Sequence, residues 1–526
     1  MLHKVLRKFT IAGALALTAL PLVAQRVVAS TAAGQFEGDN IGVVNHFLGI
    51  PYAAAPVGDL RWKAPVSPMT KAGVASAHSF KSPCVQIGGI YGSTDPNTFG
   101  QIMGSEDCLY LNIWAPAKSN HRPVLVFIHG GAGVAGTGSL NLYDGANFAT
   151  QANAVYVTIN YRLGIFGGYR LPMLANGNPL DDSGNYSLLD IIQALKWVKK
   201  NIGAFGGDGA NITLAGQSSG CVDIHSLFES PVAKGTFQRA VCMSGVEDHS
   251  TREDATRDAI GLVANLLLAD GLISNYNGAS DYIQKAGNTT IKHYLLSKTS
   301  AQILAAANTP IPSWLGGTTS LPIDTQVMDG TVIPVSADGK SAPPIINVVP
   351  SIVSTVKNES GFLLYFRLVA SSFTWRQFWA YDQSNASNLS SSALMPLFNR
   401  VLYHAITFFA DPVLRIFVDR LADKMAVTNP AVYRSEFDWQ SYSSPWVGLF
   451  AAFHGLDICF NFDSFAHSQP NLINFVTPSP GRQALSNKML ASIRGLMETG
   501  DPNKYLGQYG LHWQAWSQAR NPLFWH

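Results

Sequence analysis

Three apolar, largely β-branched runs succeed one another early in the chain: Leu109 to Trp114, Val124 to Ile128 and Ala154 to Ile159. None alternates strictly with polar residues, so each predicts a strand covered on both faces, as in a parallel sheet. Before them, Phe47-Leu48-Gly49-Ile50-Pro51-Tyr52 and the stretch to Trp62 mix apolar residues with turn formers and predict short strands and loops. After them the period changes. An amphipathic run ending at Lys200 predicts a helix, Phe205-Gly206-Gly207-Asp208 a Gly-rich turn, and Asn211 to Leu214 a further strand. Alternating helix and strand signals of this kind predict an α/β fold, with a mostly parallel central sheet wound with helices. Farther along, Asp254 to Leu272 and Ala301 to Ala307 have helical period, Ile345 to Val356 returns to strand, and Trp446 to Phe453 reads as a strand-like run ending at His454. The span 362–409 is dense in rings, among them Phe373, Trp375, Phe378, Trp379, Tyr381, Tyr403, Phe408 and Phe409. They fit either the core of a helical insertion or the lining of a substrate gorge.

Composition narrows the class. Charged residues are 13% of the 526, against a typical ~25%, which implies extensive burial. A net charge of +2 without clustered Lys or Arg gives no footprint for nucleic acid or an anionic membrane, and suits small neutral substrates. The first 29 residues read as a secretory signal peptide: a basic start (His3, Lys4, Arg7, Lys8), an apolar core from Phe9 to Leu20, and small-residue exits after Ala24 or Ala29. That core is too short for a membrane span, and no second such run follows. Residues 30–526 then form a single domain. Of five cysteines, Cys84 and Cys108 flank a polar loop and suggest a disulfide in an exported protein, whereas Cys221, Cys242 and Cys459 sit in apolar or motif segments and suggest three inert thiols.

The chemistry centres on Gly216-Gln217-Ser218-Ser219-Gly220, a Gly-x-Ser-x-Gly pentapeptide behind a strand signal and ahead of a helical run. A serine there sits on a tight strand-to-helix turn, the flanking glycines sparing it collisions with its neighbours, so that its hydroxyl projects into a cleft. Outside that context the same pattern is an ordinary turn serine. Activating a serine requires an imidazole and a carboxylate to orient it. His454, followed by Gly455, ends its run at a point where the chain can turn, while His225, seven residues beyond the serine, reads as a packed helix residue. Glu359 follows the strand ending at Val356, at a sheet edge where such folds build sites. Asp382 and Asp411 are the alternative acids. No His-x-x-x-His, ligand-spaced Cys pair, phosphate loop or dinucleotide fingerprint occurs, so neither a metal nor a cofactor is expected.

Around the elbow the chain resembles the type B carboxylesterase family, the cholinesterase-like branch of the α/β-hydrolases, and reads as a secreted bacterial-type member. The resemblance is carried by Ser183-Gly184-Asn185-Tyr186, by Ser230 to Ala240 and Met243-Ser244-Gly245, by Phe453-His454-Gly455-Leu456-Asp457, and by Thr499 to Asn503. It implies an α/β-hydrolase fold with helical insertions around a gorge, and Ser218, Glu359 and His454 as the triad. The residue after the acid departs from the family pattern, being Ser360, with Gly361 displaced by one. Ile128-His129-Gly130-Gly131-Ala132-Gly133 resembles the family's oxyanion motif, which implies backbone donors at Gly131, Ala132 and Ser219 and a structural role for His129. The resemblance further implies a Cys84 to Cys108 bridge, an Arg61 to Glu106 ion pair, and Ser244 as a brace for the acid and imidazole. Relatives that hold a cationic alcohol have Glu before the nucleophile and Trp in the disulfide loop. Here stand Gln217, and Tyr91 and Phe99 without a Trp, while Gly133 replaces an aromatic on the acyl side. The expectation is an ester hydrolase for neutral substrates. Amide, lactone or acyl-transfer chemistry would use the same triad, and a non-catalytic binding module should lack a triad member. Oligomeric state is not legible.

Overall fold

Along the central strands successive side chains face opposite layers. Val124, Val126 and Ile128 enter one apolar cluster and Leu125 and Phe127 the other, and all five are fully buried. A strand covered on both faces has no polar side to alternate with, hence the unbroken apolar runs. The computed structural model describes residues 25–70, 72–310, 326–361, 397–442, 446–465 and 479–526, together with Leu364, Gln377, Ala380 and Val476.

Among these residues twelve strands form one sheet. They are β1 Gln25–Thr31, β2 Gly34–Asn40, β3 Val44–Pro51, β4 Val74–Ser76, β5 Tyr110–Pro116, β6 Arg122–Ile128, β7 Val155–Ile159, β8 Gly207–Gln217, β9 Arg239–Met243, β10 Ser351–Val356, β11 Val432–Phe437 and β12 Leu523–Trp525. Their order is β1-β2-β3-β5-β7-β6-β8-β9-β10-β11-β12, with β4 beside β2. Pairing is antiparallel from β1 to β7 and parallel from β7 onward. The helices that position the site are α1 Tyr186–Asn201, α2 Ser219–Glu229, α3 Arg252–Ala269, α4 Ser300–Ala307, α5 Leu397–Ala426 and α6 Pro480–Thr499. Leu188, Ile191 and Leu195 of α1 pack on one face of the sheet, and Leu485, Met489 and Ile493 of α6 on the other.

Several boundaries move for local reasons. Helix α3 begins at Arg252 because Thr251 caps it, accepting from the Asp254 N–H. Only Ser351–Val356 of the expected strand from Ile345 is strand; before it, Ile346 and Asn347 donate instead to the Phe228 carbonyl, and Pro350 precedes the ladder. The strand-like run before His454 is corrected outright. Trp446–Phe450 is helical, since an apolar stretch buried all round carries no period to tell the two states apart.

Of the ring-rich span, Tyr403 lies in the core, its hydroxyl donating to the Leu449 carbonyl at 2.5 Å, whereas Phe408 and Phe409 on α5 are 73% and 72% exposed. Phe373, Trp375, Phe378, Trp379, Tyr381 and the alternative acid Asp382 lie outside the described residues, as does the stretch before Gln25. The expectation that no second apolar run follows the leader is corrected: within α5, Val401–Ala426 is long and apolar enough to cross a membrane, although Val418, Leu421 and Met425 pack into the core.

Candidate active site

Strand β8 ends at Gln217 and α2 begins at Ser219, so Ser218 must reverse the chain in one residue. It does so at φ 56° and ψ −125°, a left-handed backbone costly for any residue with a side chain, held by its N–H donating to the Met243 carbonyl at 2.8 Å. The glycines leave no room for substitution. A Cβ on Gly216 would stand 2.3 Å from the Gly220 carbonyl oxygen, and one on Gly220 2.2 Å from that of Ile128.

Glu359 and His454 lie far apart in sequence but are stitched together by backbone. The Asn358 N–H donates to the Ala452 carbonyl at 3.0 Å, so the loop after β10 runs beside the segment that delivers His454. His454 Nδ1 donates to Glu359 Oε2 at 2.6 Å, and Glu359 Oε1 accepts from the Val356 N–H at 2.9 Å and from the Thr355 hydroxyl. Burial by itself would raise the Glu359 carboxyl. His454, Ser244 and Thr355 together outweigh it and hold the group below its ordinary value, so it is ionised. Ser244, at φ 55°, acts by proximity, because its buried Oγ makes no well-aligned hydrogen bond.

The departure at Ser360 is accommodated by the alternative acid. Asp411, on α5, accepts from the Ser360 N–H at 2.7 Å and its hydroxyl at 2.6 Å, which pins the loop carrying Glu359.

After β6 the chain turns through Gly131 (φ 125°), Ala132 (φ 56°) and Gly133 (φ 67°), and a Cβ on Gly131 would lie 2.0 Å from the Ala135 carbonyl oxygen. Among the described residues no protein acceptor takes the N–H groups of Gly131, Ala132 or Ser219. His129 beneath them is buried and stacked on Tyr161, its basicity lowered to about 4 by desolvation, so it stays neutral and structural.

Ser218, His454, Gly131 and Ala132 face one cleft of about 340 Å³. Its walls are Val85 and Ile87 to Tyr91 of the disulfide loop, Val134, Leu163 and Ile165, and Leu304, Ala307 and Asn308 at the end of α4. Among the described residues no Asp, Glu, Lys or Arg lines it, and the one aromatic ring besides His454 is that of Tyr91. The α4 contribution had no signal in the sequence beyond helical period.

Cys84 and Cys108 are bonded, and Arg61 meets Glu106 through two hydrogen bonds of 2.7 and 2.6 Å. The expectation of three free thiols is wrong: Cys221 and Cys242 form a second disulfide, and Cys459 alone is free and buried. Adjacency of β8 and β9, with Gln217 opposite Met243, sets the first turn of α2 against the end of β9. Their place on neighbouring elements was the available signal. His225 is a packed helix residue, its Nε2 3.6 Å from Cys221 Sγ. Cys221, His225 and Cys242 are the one grouping of potential metal ligands among the described residues, and two of the three are consumed by the bond.

Two further contacts of the His454–Glu359 pair were not legible in the sequence. Gln217 Nε2 donates to His454 Nε2 at 3.0 Å, and Asp457 is buried next to the pair with Oδ1 unpartnered, its carboxyl pushed up to about 7 by burial and by Glu359. A second histidine and carboxylate also meet closely. His249 Nε2 donates to Glu229 Oε2 at 2.6 Å at the far end of α2, where Lys424 reaches Glu229 Oε1 at 2.9 Å.

A serine on a strand-to-helix elbow, an imidazole and carboxylate from loops beyond later strands, and free amides over a shared cleft define a hydrolase of the α/β class. The chain belongs to the Carboxylesterase family, whose profile matches residues 25–524. It is 31% identical over 517 residues to the cocaine esterase of Homo sapiens, covering 93% of this chain and 84% of that protein. Against the para-nitrobenzyl esterase of Bacillus subtilis (strain 168) it is 38% identical over 267 residues, about half of either protein: 50% of this chain and 53% of the relative. Among solved structures, a PNB esterase superposes with a TM-score of 0.69 at 26% identity over 95% of both chains, and a carboxylesterase of Geobacillus stearothermophilus with 0.68 at 30% over 94% of both.

Proposed function

We propose that this protein hydrolyses neutral carboxylic esters through an acyl-enzyme on Ser218. His454 removes the serine proton and later returns it to the leaving alcohol, Glu359 fixes the ring's tautomer and stabilises its charged form, and Ser244 braces the two. The N–H groups of Gly131, Ala132 and Ser219 receive the developing oxyanion. One observation carries this reading: the His454 ring is tied at Nδ1 to a buried, ionised Glu359, while its other nitrogen opens on the cleft that holds Ser218. The test is labelling with an organophosphonate followed by peptide mapping. Modification of Ser218, lost together with turnover in Ser218→Ala, is expected; a label on another serine would overturn the assignment.

Preference for neutral esters follows from the absence of charged side chains among the described wall residues and from Gln217 in place of a carboxylate. A choline ester should show no more than a tenfold advantage in kcat/KM over its tert-butyl isostere, roughly 1.4 kcal/mol. Two relatives are, by their names, a para-nitrobenzyl esterase and a cocaine esterase, which supports ester hydrolysis as the reaction class.

The same proposal extends to export. Two disulfides fit an oxidising compartment. Strand β1 pairs with β2 from Gln25, and Ala29 within it is buried, which favours removal of the leader after Ala24 over Ala29 and a single domain beginning at Gln25.

A further inference from the structure

Gln217 precedes the nucleophile and points its side-chain amide at the other catalytic group. Its Nε2 lies 3.0 Å from His454 Nε2, and both side chains are buried. An amide nitrogen only donates, so His454 Nε2 accepts, and the single ring proton resides on Nδ1, where it meets Glu359. No hydrogen bond joins Ser218 Oγ to His454 here; the lone pair that must receive the serine proton is occupied by Gln217.

We propose that Gln217 is a positioning residue that gates the general base: it holds the resting imidazole unprotonated at Nε2 and must be displaced each time Ser218 is activated. The inference rests on the triad assignment above. The chemistry follows from counting donors. Once Nε2 carries a proton, whether from solvent or from Ser218, it faces an amide N–H, donor against donor, and this contact breaks, to be replaced only if the amide turns over to present Oε1. A carboxylate in that place would do the opposite and accept from Nε2–H. The remaining groups about the ring act from other sides: Glu359 on Nδ1, Asp457 from the ring's own segment, and Asp411 and Arg434 only through Glu359. Among the described residues no cationic side chain lines the cleft. Gln217 is thus the group that decides whether protonation of Nε2 is opposed or assisted.

The experiment compares wild type, Gln217→Glu and Gln217→Met by kcat/KM for a neutral chromogenic ester from about pH 4.5 to 9, with the rate of phosphonate labelling measured in parallel. The acid limb should move up by about one pH unit in Gln217→Glu, a loss of roughly tenfold below the limb, and by about half a unit in Gln217→Met, which keeps the volume but cannot donate. On the alkaline plateau Gln217→Met should label at least as fast as wild type, because the lone pair is free. Superimposable limbs in all three proteins would overturn the proposal, as would a Gln217→Met variant slowed by a constant factor at every pH, the mark of a wall residue. If Gln217→Glu does not fold, Gln217→Met decides by itself. Failure of the underlying assignment looks different: His454→Ala would retain turnover, or Ser218 would escape the label.

Discussion

Helix α2 ends at two histidine–carboxylate pairs of the same length. Its first residue follows Ser218, which shares a cleft with His454, the partner of Glu359, and its last residue, Glu229, holds His249; each pair spans 2.6 Å. What differs is the outlook of the second ring nitrogen. His454 Nε2 opens on the cleft that Ser218 also lines and meets the Gln217 amide, whereas His249 Nδ1 is buried and has no partner among the described residues. The spare oxygens differ too. Glu359 Oε1 is held by a backbone N–H and a threonine, while Glu229 Oε1 is held by Lys424, which also reaches Glu247 at 2.5 Å. A short imidazole–carboxylate contact therefore does not by itself mark catalysis. The proton needs somewhere to go.

Removing each imidazole should separate the two ends most sharply. His454→Ala should cost roughly four decades in kcat, because the serine loses its base. His249→Ala should leave kcat within about threefold and instead cost ~1–3 kcal/mol of stability, since it strips a buried partner from Glu229. Comparable losses of kcat in the two variants would break the distinction.

The third charged group at each end gives the next largest effect. At one end Lys424 neutralises Glu229; at the other Asp457 avoids adding a second negative charge by keeping its proton, its carboxyl pushed up from 3.8 to about 7 by burial and by Glu359. The folded state binds that proton more tightly than the unfolded chain, so the stability it brings is complete below about pH 4 and is lost as the pH rises through about 7. Asp457→Asn, which mimics the protonated acid, should match wild type near pH 4 and exceed it above pH 7 by up to ~4 kcal/mol in urea unfolding. A gain that is independent of pH would mean that Asp457 titrates normally.

The disulfide between the two ends gives the smallest step. Cys84–Cys108 and Cys221–Cys242 enclose loops of similar size, with sequence separations of 24 and 21, so each is worth about 3 kcal/mol in the chain-entropy model. Replacing either pair by alanine should lower stability alike. Only the Cys221/Cys242 variant should also lower kcat, by about threefold to tenfold, because that bond joins the first turn of α2, whose leading amide is the Ser219 N–H, to the strand end that anchors Ser218. Equal kcat in both variants would reduce the second bond to a staple.

Much of this was legible without coordinates. The elbow, its glycines, His454 and Glu359 each stand next to a strand end or a tight turn, and such positions announce themselves through local residue choice. What stayed hidden depends on side chains meeting from distant segments. Gln217 was visible as a missing charge but not as a partner of His454, Asp411 appeared as a rival acid when it anchors the Ser360 loop, and Cys221 and Cys242 looked like core thiols because each, taken alone, is one. The helix at Trp446–Phe450 was misread because burial on all sides erases periodicity.

With walls of Val85, Ile87, Ile90, Val134, Leu163 and Ile165, the cleft meets an incoming ester as a droplet of hydrocarbon fixed beside a nucleophile. Entry is then a solvent extraction, favourable by about 0.8 kcal/mol per methylene, so homologous esters should gain about fourfold in 1/KM with each added carbon. The climb should halt once the ~340 Å³ is filled. Within that limit, rank among neutral substrates should follow their oil–water partition coefficients.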